Sequence, residues 1–405
     1  MYLNTEIAKD IYYVGVNDRI KHKFENMLPL PYGVSYNSYL ITDEKIALVD
    51  TVDVCYSEIF IEKIQSQLKG KQIDYLIINH MEPDHSGSIS FIRKYYPNIT
   101  VVGNKKTLEM LNGYYCIDDN TLEITDGETL SLGRHQLQFH LTPMVHWPET
   151  MMTFDLTENV LFSGDAFGCF GTLDGGVIDT QMNTDKYWDE MYRYYANIVG
   201  KYGSPVQKAL QKLTPLDINV ICSTHGPVWK EQVSKAVDIY DQLSRYEARE
   251  GAVVVYGSMY GNTEQMAEAV AQGLVTGGVR NVVMHNISKS DASDILRDIF
   301  KYKGLIIGSP TYCNELHPEI DSLLKKIEIR AIKKREFAYF GSFSWAGVAN
   351  KKLAEFGEKM KWRTASFTVE EKMGLKENNY LSCIQLGKKM AELLKTPETS
   401  EPACH

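Results

Sequence analysis

Four side chains that can bind a metal ion lie within one short segment, His80–His85, which reads His-Met-Glu-Pro-Asp-His. The residues before it, Ile73–Asn79, are predicted to form a short buried strand. In extended backbone, alternate side chains point to the same side, so we expect His80, Glu82 and Asp84 to converge. Imidazole nitrogens and carboxylate oxygens are ligands of transition metals, and the segment therefore predicts a metal site.

Three further residues of the same chemical types follow other predicted strands. His146, Asp165 and His225 each lie in a short loop with glycine or proline nearby. Because loops at one rim of a scaffold commonly carry the chemistry of a protein, we expect these side chains to join the first group. His135 and His140 lie outside this pattern and are expected to be structural. The preceding strands are predicted at Gln136–Thr142, Val160–Ser163 and Val220–Ser223.

A second kind of site is predicted where the strand Ala252–Tyr256 runs into Gly-Ser-Met-Tyr-Gly-Asn-Thr and then a helix. Hydroxyl groups and backbone N–H groups at the start of a helix form a cradle for an anion, and Gly261 allows a phosphate to approach the backbone. The loop has no lysine of the ATP-binding type and no G-x-G-x-x-G pattern, so neither ATP nor a dinucleotide is favoured. Two later loops, Ser309–Asn314 and Ser342–Gly347, are expected at the same edge of the sheet.

The elements that position these loops differ between the two halves of the chain. After Gly251 five strands alternate with five helices, which predicts a doubly wound parallel sheet. Before it, strand pairs precede a strand–helix alternation, which predicts sheets covered by helices. Elements of the first half are predicted at Gly33–Leu40, Lys45–Asp50, Ser57–Leu68, Met151–Asp155, Tyr187–Val199 and Lys230–Arg249. Those of the second half are Thr263–Thr276, Val279–Met284, Ala292–Tyr302, Gly304–Gly308, Pro318–Ile327, Phe337–Gly341, Asn350–Met360, Thr364–Val369 and Tyr380–Leu394.

Length and composition set the outer limits of this interpretation. A chain of 405 residues is expected to contain two or three domains, here 1–250 and 251–395 with a polar tail at 396–405. The net charge of -9 disfavours nucleic-acid binding. No apolar run approaches the ~20 residues that span a bilayer, and no secretory signal is present, so we expect a cytoplasmic protein without a membrane partner. Seven cysteines without any C-x-x-C pair exclude a disulfide framework and a cysteine-rich metal site.

The pattern H-x-E-x-D-H, followed by a His, an Asp and a His, resembles the flavodiiron form of the metallo-β-lactamase fold. This resemblance implies an αββα sandwich with a di-iron centre at its rim. Hydrolytic relatives carry a histidine where this chain has Glu82, and they usually bind zinc. A carboxylate is a harder ligand than imidazole and suits iron that cycles between the ferrous and ferric states.

The resemblance also implies roles for individual residues. Asp165 would bridge the two irons, and His85 would lie beside them without being a ligand. Tyr195 is similar to a tyrosine that family members place near the open face of the irons. Family members often place a histidine there as well, and in this chain either His22 or Glu25 stands in that region. One iron would be held by His80, Glu82 and His146, and the other by Asp84 and His225.

The loop after the first strand of the second half resembles the phosphate loop of flavodoxins, which binds FMN. Tyr260 stands where many flavodoxins have threonine. The aromatic residues of the two later loops would then frame the isoalloxazine ring. The residues expected to bind FMN are Ser258, Met259, Tyr260, Gly261, Asn262, Thr263, Ser309, Pro310, Thr311, Tyr312, Asn314, Ser342, Phe343, Ser344, Trp345 and Gly347.

The resemblance covers about residues 1–395 and implies an oxidoreductase that passes electrons from FMN to a di-iron centre. We expect it to reduce O2 to water with four electrons as its main activity, and NO to N2O as a further one. The electron donor is expected to be separate: a rubredoxin, a reduced deazaflavin or an NAD(P)H-linked reductase. A domain of this size has a radius of gyration of roughly 18 Å. Electron transfer within one chain would therefore be slow, and the family implies a head-to-tail homodimer or a dimer of dimers.

Two other functions are compatible with the same residues. One is a zinc-dependent hydrolase of the metallo-β-lactamase class with a flavodoxin-like accessory domain, against which Glu82 argues. The other is an electron carrier whose first half is a metal-free docking module. Metal content and the effect of replacing His80 and Asp165 on oxygen consumption distinguish these alternatives.

Overall fold

Two β-sheets pack face to face in the N-terminal unit of the chain, Met1–Arg245. The structure is a computed structural model and describes residues 4–396. The core between the sheets combines Ile41, Val49 and Ile77 of one sheet with Phe139 and Phe162 of the other. The first sheet contains, in order across it, Thr5–Ala8, Ile11–Tyr13, Tyr39–Ile41, Ala47–Val49, Tyr75–Ile77, Thr100–Gly103 and Thr121–Glu123; the second contains Thr129–Ser131, Gln136–Leu141, Met151–Asp155, Val160–Gly164 and Val220–Ser223.

Helices and two short strand pairs complete this unit. The strand pairs are Val16–Asp18 with Val34–Tyr36 and Lys23–Phe24 with Leu28–Pro29. The α-helices are Ser57–Leu68, Pro83–Ser86, Ile89–Tyr95, Lys105–Tyr115, Asp185–Tyr194, Gly203–Leu213 and Val233–Ser244; shorter helical turns are Val54–Tyr56, Asp179–Gln181, Tyr195–Val199 and Gly200–Tyr202.

The carboxyl ends of several strands meet at one rim, and this brings the loops with metal-ligand side chains together. The strands Val160–Gly164 and Val220–Ser223 are parallel neighbours, so the residues that follow them lie side by side. Asn79, which follows a strand of the first sheet, accepts a hydrogen bond from Met151 N of the second sheet at 3.0 Å. The hydroxyl of Thr153 donates a second one to the Asn79 side chain at 2.8 Å. The two sheets are therefore tied together directly beneath the rim.

Two predicted elements of this unit are divided in the structure. The single strand predicted at Gly33–Leu40 is two strands in the structure, Val34–Tyr36 and Tyr39–Ile41. They are separate because they pair with strands of two different sheets. The helix predicted at Tyr187–Val199 ends its α-helical part at Tyr194 and continues as a wider π-helical turn.

The C-terminal unit, Tyr246–His405, is built around a parallel sheet. Its first strand lies between the second and third, which is the flavodoxin-like order of a doubly wound fold. In order across the sheet the strands are Val282–Asn286, Arg249–Tyr256, Tyr302–Pro310 and Glu336–Phe343, followed by Arg363–Thr364 and Val369–Lys372. The helices are Asn262–Thr276, Ala292–Lys301, Pro318–Ile329, Ala349–Met360 and Glu377–Lys395.

The fifth strand predicted at Thr364–Val369 is interrupted. Arg363–Thr364 pairs with the start of Glu336–Phe343, and Val369–Lys372 pairs with its end, so the residues between them leave the sheet. The predicted tail lies almost wholly outside the described residues. Within residues 4–396 no helix is both long and apolar enough to cross a bilayer.

Candidate metal centre and flavin site

All six predicted metal ligands lie together at the rim of the N-terminal sheets. Each is at most 8% exposed to solvent, although all are ionisable. Charged groups are rarely buried unless they are paired or bind a metal, so this burial itself indicates a site. The six are His80, Glu82, Asp84, His146, Asp165 and His225.

One set of donor atoms surrounds Oδ2 of Asp165. The Nε2 atom of His146 lies 3.0 Å from this oxygen and 3.1 Å from Oε2 of Glu82. The Nε2 atom of His80 lies 3.5 Å from the same Asp165 oxygen and 3.3 Å from Oε2 of Glu82. Four donor atoms from three separate loops thus converge on one small volume.

A second set surrounds Oδ1 of Asp165, and it includes His85. The Nε2 atom of His85 lies 2.9 Å from this oxygen and 3.2 Å from Oδ1 of Asp84. His225 completes the set, with Nε2 3.3 Å from Oδ2 of Asp84 and 3.7 Å from Oδ1 of Asp165. His85 was expected beside the metals without being a ligand. Its ring nitrogen instead points into the cluster as directly as that of His225, because the helix Pro83–Ser86 turns it inward.

The donor atoms fit metal ions better than they fit each other. Five of these buried atoms make no hydrogen bond among the described residues. They are both carboxylate oxygens of Asp84, both ring nitrogens of His85 and Nε2 of His225. Close distances without hydrogen-bond geometry are expected when side chains aim at a common point between them. Asp165 offers one oxygen to each set, and its Oδ1 also accepts a hydrogen bond from Thr224 Oγ1 at 2.6 Å.

Charges inside the cluster favour a cation at its centre. Burial opposes a charge on His146, yet hydrogen bonds with Asp165 and Glu82 raise its pKa to about 9. Burial also opposes a charge on Asp165, but His85 and His80 hold the pKa of this carboxyl well below its usual range. A metal ion supplies the same positive charge in place of imidazole protons.

The backbone that presents the first ligands is not extended throughout. Glu82 precedes the short helix Pro83–Ser86, which carries Asp84 and His85. His80, Glu82 and Asp84 converge, as the alternation of side chains along a strand predicts. Their convergence nevertheless comes from a change from extended to helical backbone after Glu82. This turn explains why Asp84 faces the second donor set whereas Glu82 faces the first.

Tyr194 packs its ring against a histidine of the second donor set. Its ring centroid is 5.6 Å from that of His225, and its buried hydroxyl makes no hydrogen bond within the described chain. Burial, followed by the charges of Asp165 and Glu82, raises the pKa of this phenol. Tyr195, the tyrosine predicted here, packs its ring against Tyr240 at 5.0 Å. Two adjacent tyrosines on a helix point in different directions, and the sequence pattern does not distinguish them.

A cavity of about 540 Å³ opens onto the donor atoms and contains Glu25 in its wall. Glu25 lies at the tip of the hairpin Lys23–Pro29 with a positive φ of 48°. Burial and the nearby Glu82 carboxylate raise the pKa of Glu25 to about 7. Of His22 and Glu25, only Glu25 lines this cavity. The other lining residues are Lys21, Phe24, Asn26, Asp53, Val54, Glu82, Pro83, Asp84, Gly87 and Tyr115.

A second cavity, of about 370 Å³, lies at the carboxyl edge of the parallel sheet. The Ser258 hydroxyl oxygen accepts hydrogen bonds from Gly261 N at 3.1 Å and Glu264 N at 3.3 Å, which shapes the first loop. Gly261 has a φ of 92°, and no atom lies within 4 Å of where its side chain would begin. This open space lies in front of a helix start, a place where backbone N–H groups favour an anion, and it fits the phosphate of FMN.

Most of the predicted flavin residues line this cavity, and three do not. Ser309 is buried and its hydroxyl oxygen accepts a hydrogen bond from His317 N at 3.0 Å, whereas Gly261 and Gly347 shape the loops through their backbone. Three lining residues were not predicted: Cys313, Ala346 and Met373. The first two lie within predicted loops. Met373 follows the interrupted last strand, whose end the sequence pattern places too early. The predicted residues that do line the cavity are Ser258, Met259, Tyr260, Asn262, Thr263, Pro310, Thr311, Tyr312, Asn314, Ser342, Phe343, Ser344 and Trp345.

Comparison with known protein families agrees with both sites. Residues 34–226 match the family described as ODP family beta lactamase, and residues 254–386 match the family described as flavodoxin. The first match contains the predicted ligands from the segment His80–His85 to His225. The second contains all three loops around the flavin cavity up to residue 347.

Individual relatives match nearly the whole chain. The anaerobic nitric oxide reductase flavorubredoxin of Vibrio vulnificus is 32% identical over 91% of this chain and 78% of its own length. The solved structure of rubredoxin oxygen:oxidoreductase from Desulfovibrio gigas has a TM-score of 0.92 and 29% identity, covering 97% of this chain and 99% of its own. The flavodiiron protein of Giardia intestinalis has a TM-score of 0.91 and 26% identity, covering 98% of each chain. With an αββα di-iron domain before a flavodoxin-like FMN domain, this chain belongs to the flavodiiron protein family of oxidoreductases.

Proposed function

We propose that this protein reduces O2 to water, and that NO is a second substrate. The observation that carries the proposal is the pair of buried donor sets that share Asp165. Adjoining sets of this kind suit two metal ions, and two irons held there, with FMN at the second site, would supply electrons and open coordination positions for a small gas. Reduction of one O2 to two water molecules consumes four electrons and four protons.

We assign each metal a set of ligands from this chain. Asp165 contributes Oδ2 to the first set and Oδ1 to the second. A carboxylate in each set and a shared carboxylate between them favour iron over zinc, because carboxylate oxygen is a harder ligand than imidazole. The first set is His80, Glu82 and His146, and the second is Asp84, His85 and His225.

The cavity above the donor atoms suits a gas that must be supplied with protons. Its wall places Lys21 against Asp53, with Nζ donating to Oδ2 at 2.8 Å, and Lys21 also donates to the Tyr36 hydroxyl at 3.0 Å. These ionisable groups keep the mouth of the cavity polar and hydrated. Phe24 and Tyr194 present aromatic rings to His225 on the inner side and limit water there.

NO enters the proposal through the relatives. The protein from Vibrio vulnificus that matches 91% of this chain is named an anaerobic nitric oxide reductase, whereas the Desulfovibrio gigas structure is named an oxygen oxidoreductase. Both gases are small and uncharged, and both bind ferrous iron, so the same donor sets serve either reaction. Coupling of two NO molecules to N2O and water requires two electrons and two protons.

The electrons reach FMN from a separate donor in this proposal, which is a rubredoxin, a reduced deazaflavin or an NAD(P)H-linked reductase. The proposal also includes a head-to-tail dimer, or a dimer of dimers, in which the flavin of one chain lies beside the metals of its partner. Dilution to monomers should then slow electron transfer from flavin to iron. An unchanged transfer rate in the monomer would remove the dimer from the proposal.

The decisive experiment combines metal and flavin analysis with parallel measurements of O2 and NO consumption after anaerobic reduction. We expect two irons and one FMN per chain, with consumption lost in H80A and D165A while the flavin remains bound. H140A is a matched control, because His140 is buried but outside both donor sets. Two zinc ions with hydrolysis of a thioester or phosphodiester would favour the hydrolase, and unchanged oxygen consumption in H80A and D165A would favour the electron carrier.

A further inference from the structure

A buried carboxylate that is not a proposed ligand contacts one of the metal-binding histidines. Glu149 is 1% exposed, and its Oε1 lies 2.7 Å from Nδ1 of His80. The same oxygen accepts a hydrogen bond from Met81 N at 2.9 Å. The Asn104 side chain donates to the Glu149 carbonyl at 2.6 Å and holds this segment in place. The contact with His80 is therefore built into the fold.

Besides His80 and Met81 N, the Glu149 carboxylate has no hydrogen-bond partner among the described residues. Its second oxygen, Oε2, is buried and has no hydrogen-bond partner in the described part of the chain. The Trp147 ring stands edge-on to the His80 ring, with centroids 5.2 Å apart, and limits water at this contact. In such a dry environment the carboxylate acts mainly on the imidazole and on whatever cation the imidazole binds.

Among the described residues, no carboxylate contacts Nδ1 of a histidine in the other donor set. Nδ1 of His225 lies 2.7 Å from the backbone carbonyl oxygen of Ser35, which is a neutral acceptor. Both contacts place the proton on Nδ1 and leave Nε2 free for a metal, so both histidines have the same tautomer. The two metal positions nevertheless differ, because among the described donor-set histidines only His80 has a carboxylate in contact with its Nδ1.

A carboxylate behind a histidine ligand makes the imidazole a stronger electron donor to its metal. A stronger donor stabilises the ferric ion more than the ferrous ion, since the ferric ion carries one more positive charge. We propose that Glu149 is a positioning residue that keeps the iron at the His80 position ferric when the iron at the His225 position is already ferrous. This inference rests on the ligand sets of the proposed function.

The redox step behind the proposal is simple. Each iron takes up one electron on passing from ferric to ferrous, supplied by the flavin or by an added reductant such as dithionite. Two one-electron couples are therefore expected, the upper one for the His225 position and the lower one for the His80 position. Glu149 lowers the potential of the lower couple.

The test is a potentiometric titration of the iron- and FMN-loaded full chain, followed by electron paramagnetic resonance of the half-reduced state. E149Q keeps an acceptor oxygen for His80 but removes the charge. Loss of a partner behind a ligand commonly weakens metal binding 10–100-fold. A tenfold loss for the ferric ion relative to the ferrous ion raises a one-electron potential by about 59 mV. We expect the lower couple of E149Q to rise by at least this amount and the half-reduced signal to shrink.

D155N is the matched control. Asp155 is buried, and its Oδ2 lies 2.8 Å from Nδ1 of His135, which is in neither donor set. Any loss of stability from removing the charge of a buried carboxylate beside a histidine should therefore appear in both variants. The shift in reduction potential should appear only in E149Q.

The outcomes separate this inference from the proposed function. A lower couple that stays in place in E149Q with full iron content, a shift of the upper couple alone, or an equal shift in D155N would each overturn the role of Glu149. Should E149Q fail to hold iron, E149D provides the second test: a longer contact must raise the same couple by a smaller amount, and no shift would overturn the inference. Absence of iron from the wild type would instead refute the proposed function.

Discussion

Removal of the metals is expected to destabilise the N-terminal unit alone. This unit contains the whole cluster of buried carboxylates and imidazoles, whereas the flavin cavity lies entirely in the C-terminal unit. Anything that binds only the folded state stabilises it, by about 2.7 kcal/mol for one site at a free concentration of 100 times Kd. Two metal sites together therefore contribute about 5 kcal/mol under such conditions.

This free energy converts into a large shift of the unfolding temperature. For a unit of this size, Met1–Arg245, 1 kcal/mol corresponds to roughly 2–4 °C. Anaerobic removal of iron with a chelator should accordingly lower the transition of the N-terminal unit by roughly 10–20 °C. The groups left behind explain the sign, because Asp84 and His85 are buried without hydrogen-bond partners among the described residues when no metal is bound.

Differential scanning calorimetry of four samples checks the prediction: the complete protein, the protein without iron, the protein without FMN, and the protein with iron restored. Iron removal should move one transition and FMN removal the other, and restored iron should reverse the first shift. If removing iron moves neither transition, or moves the same transition as removing FMN, the assignment of the donor sets to bound metals is wrong.

Three further predictions concern single residues. The first is that E82H should bind less iron relative to zinc when the protein is loaded from a mixture of both metals. The iron-to-zinc ratio should fall by about 10–100-fold, because imidazole replaces a hard oxygen ligand. An unchanged ratio would contradict the role given to this carboxylate. Y194L should lower gas turnover by about tenfold, the equivalent of ~1.4 kcal/mol in the barrier, because it removes the ring that contacts His225. Y195L, which removes a ring that contacts Tyr240, should have a smaller effect, and equal effects would argue against a role for the Tyr194–His225 contact. Burial lowers the pKa of Lys63 to about 8, against 10.5 for an ordinary lysine. At pH values between these two, Lys63 is protonated in the unfolded chain and has lost its proton in the folded chain. The free energy of unfolding of the wild type should therefore rise relative to K63M as the pH increases through this range, and urea titrations that show a constant difference would contradict it.

Much of the fold and site follows from short-range patterns in the sequence. The alternation of five strands and five helices after Gly251 predicts the parallel sheet, and the sheet forms with the flavodoxin-like order. His80, Glu82, Asp84, His146, Asp165 and His225 all reach one cluster. These features are predictable because hydrophobic periodicity and the position of a residue after a strand depend on only a few neighbours along the chain.

Other features depend on contacts between distant segments, and the sequence pattern does not contain them. The interrupted last strand is one of these, since its two parts pair with opposite ends of the same neighbour. Met373 reaches the flavin cavity only because of that interruption. Periodicity describes which face of an element is buried, but it does not specify where a strand leaves its sheet.

The chemical types at the metal centre, and the loops that carry them, are thus predictable from the order of the residues along the chain. The direction of each side chain depends on the folded molecule: His85 points into the cluster, Tyr194 contacts His225, and Glu149 contacts His80 on the side away from the cluster. The physical reason is that a ring or carboxylate is oriented by whatever packs against it. Those partners come from segments tens of residues away, so their positions exist only once the sheets have assembled.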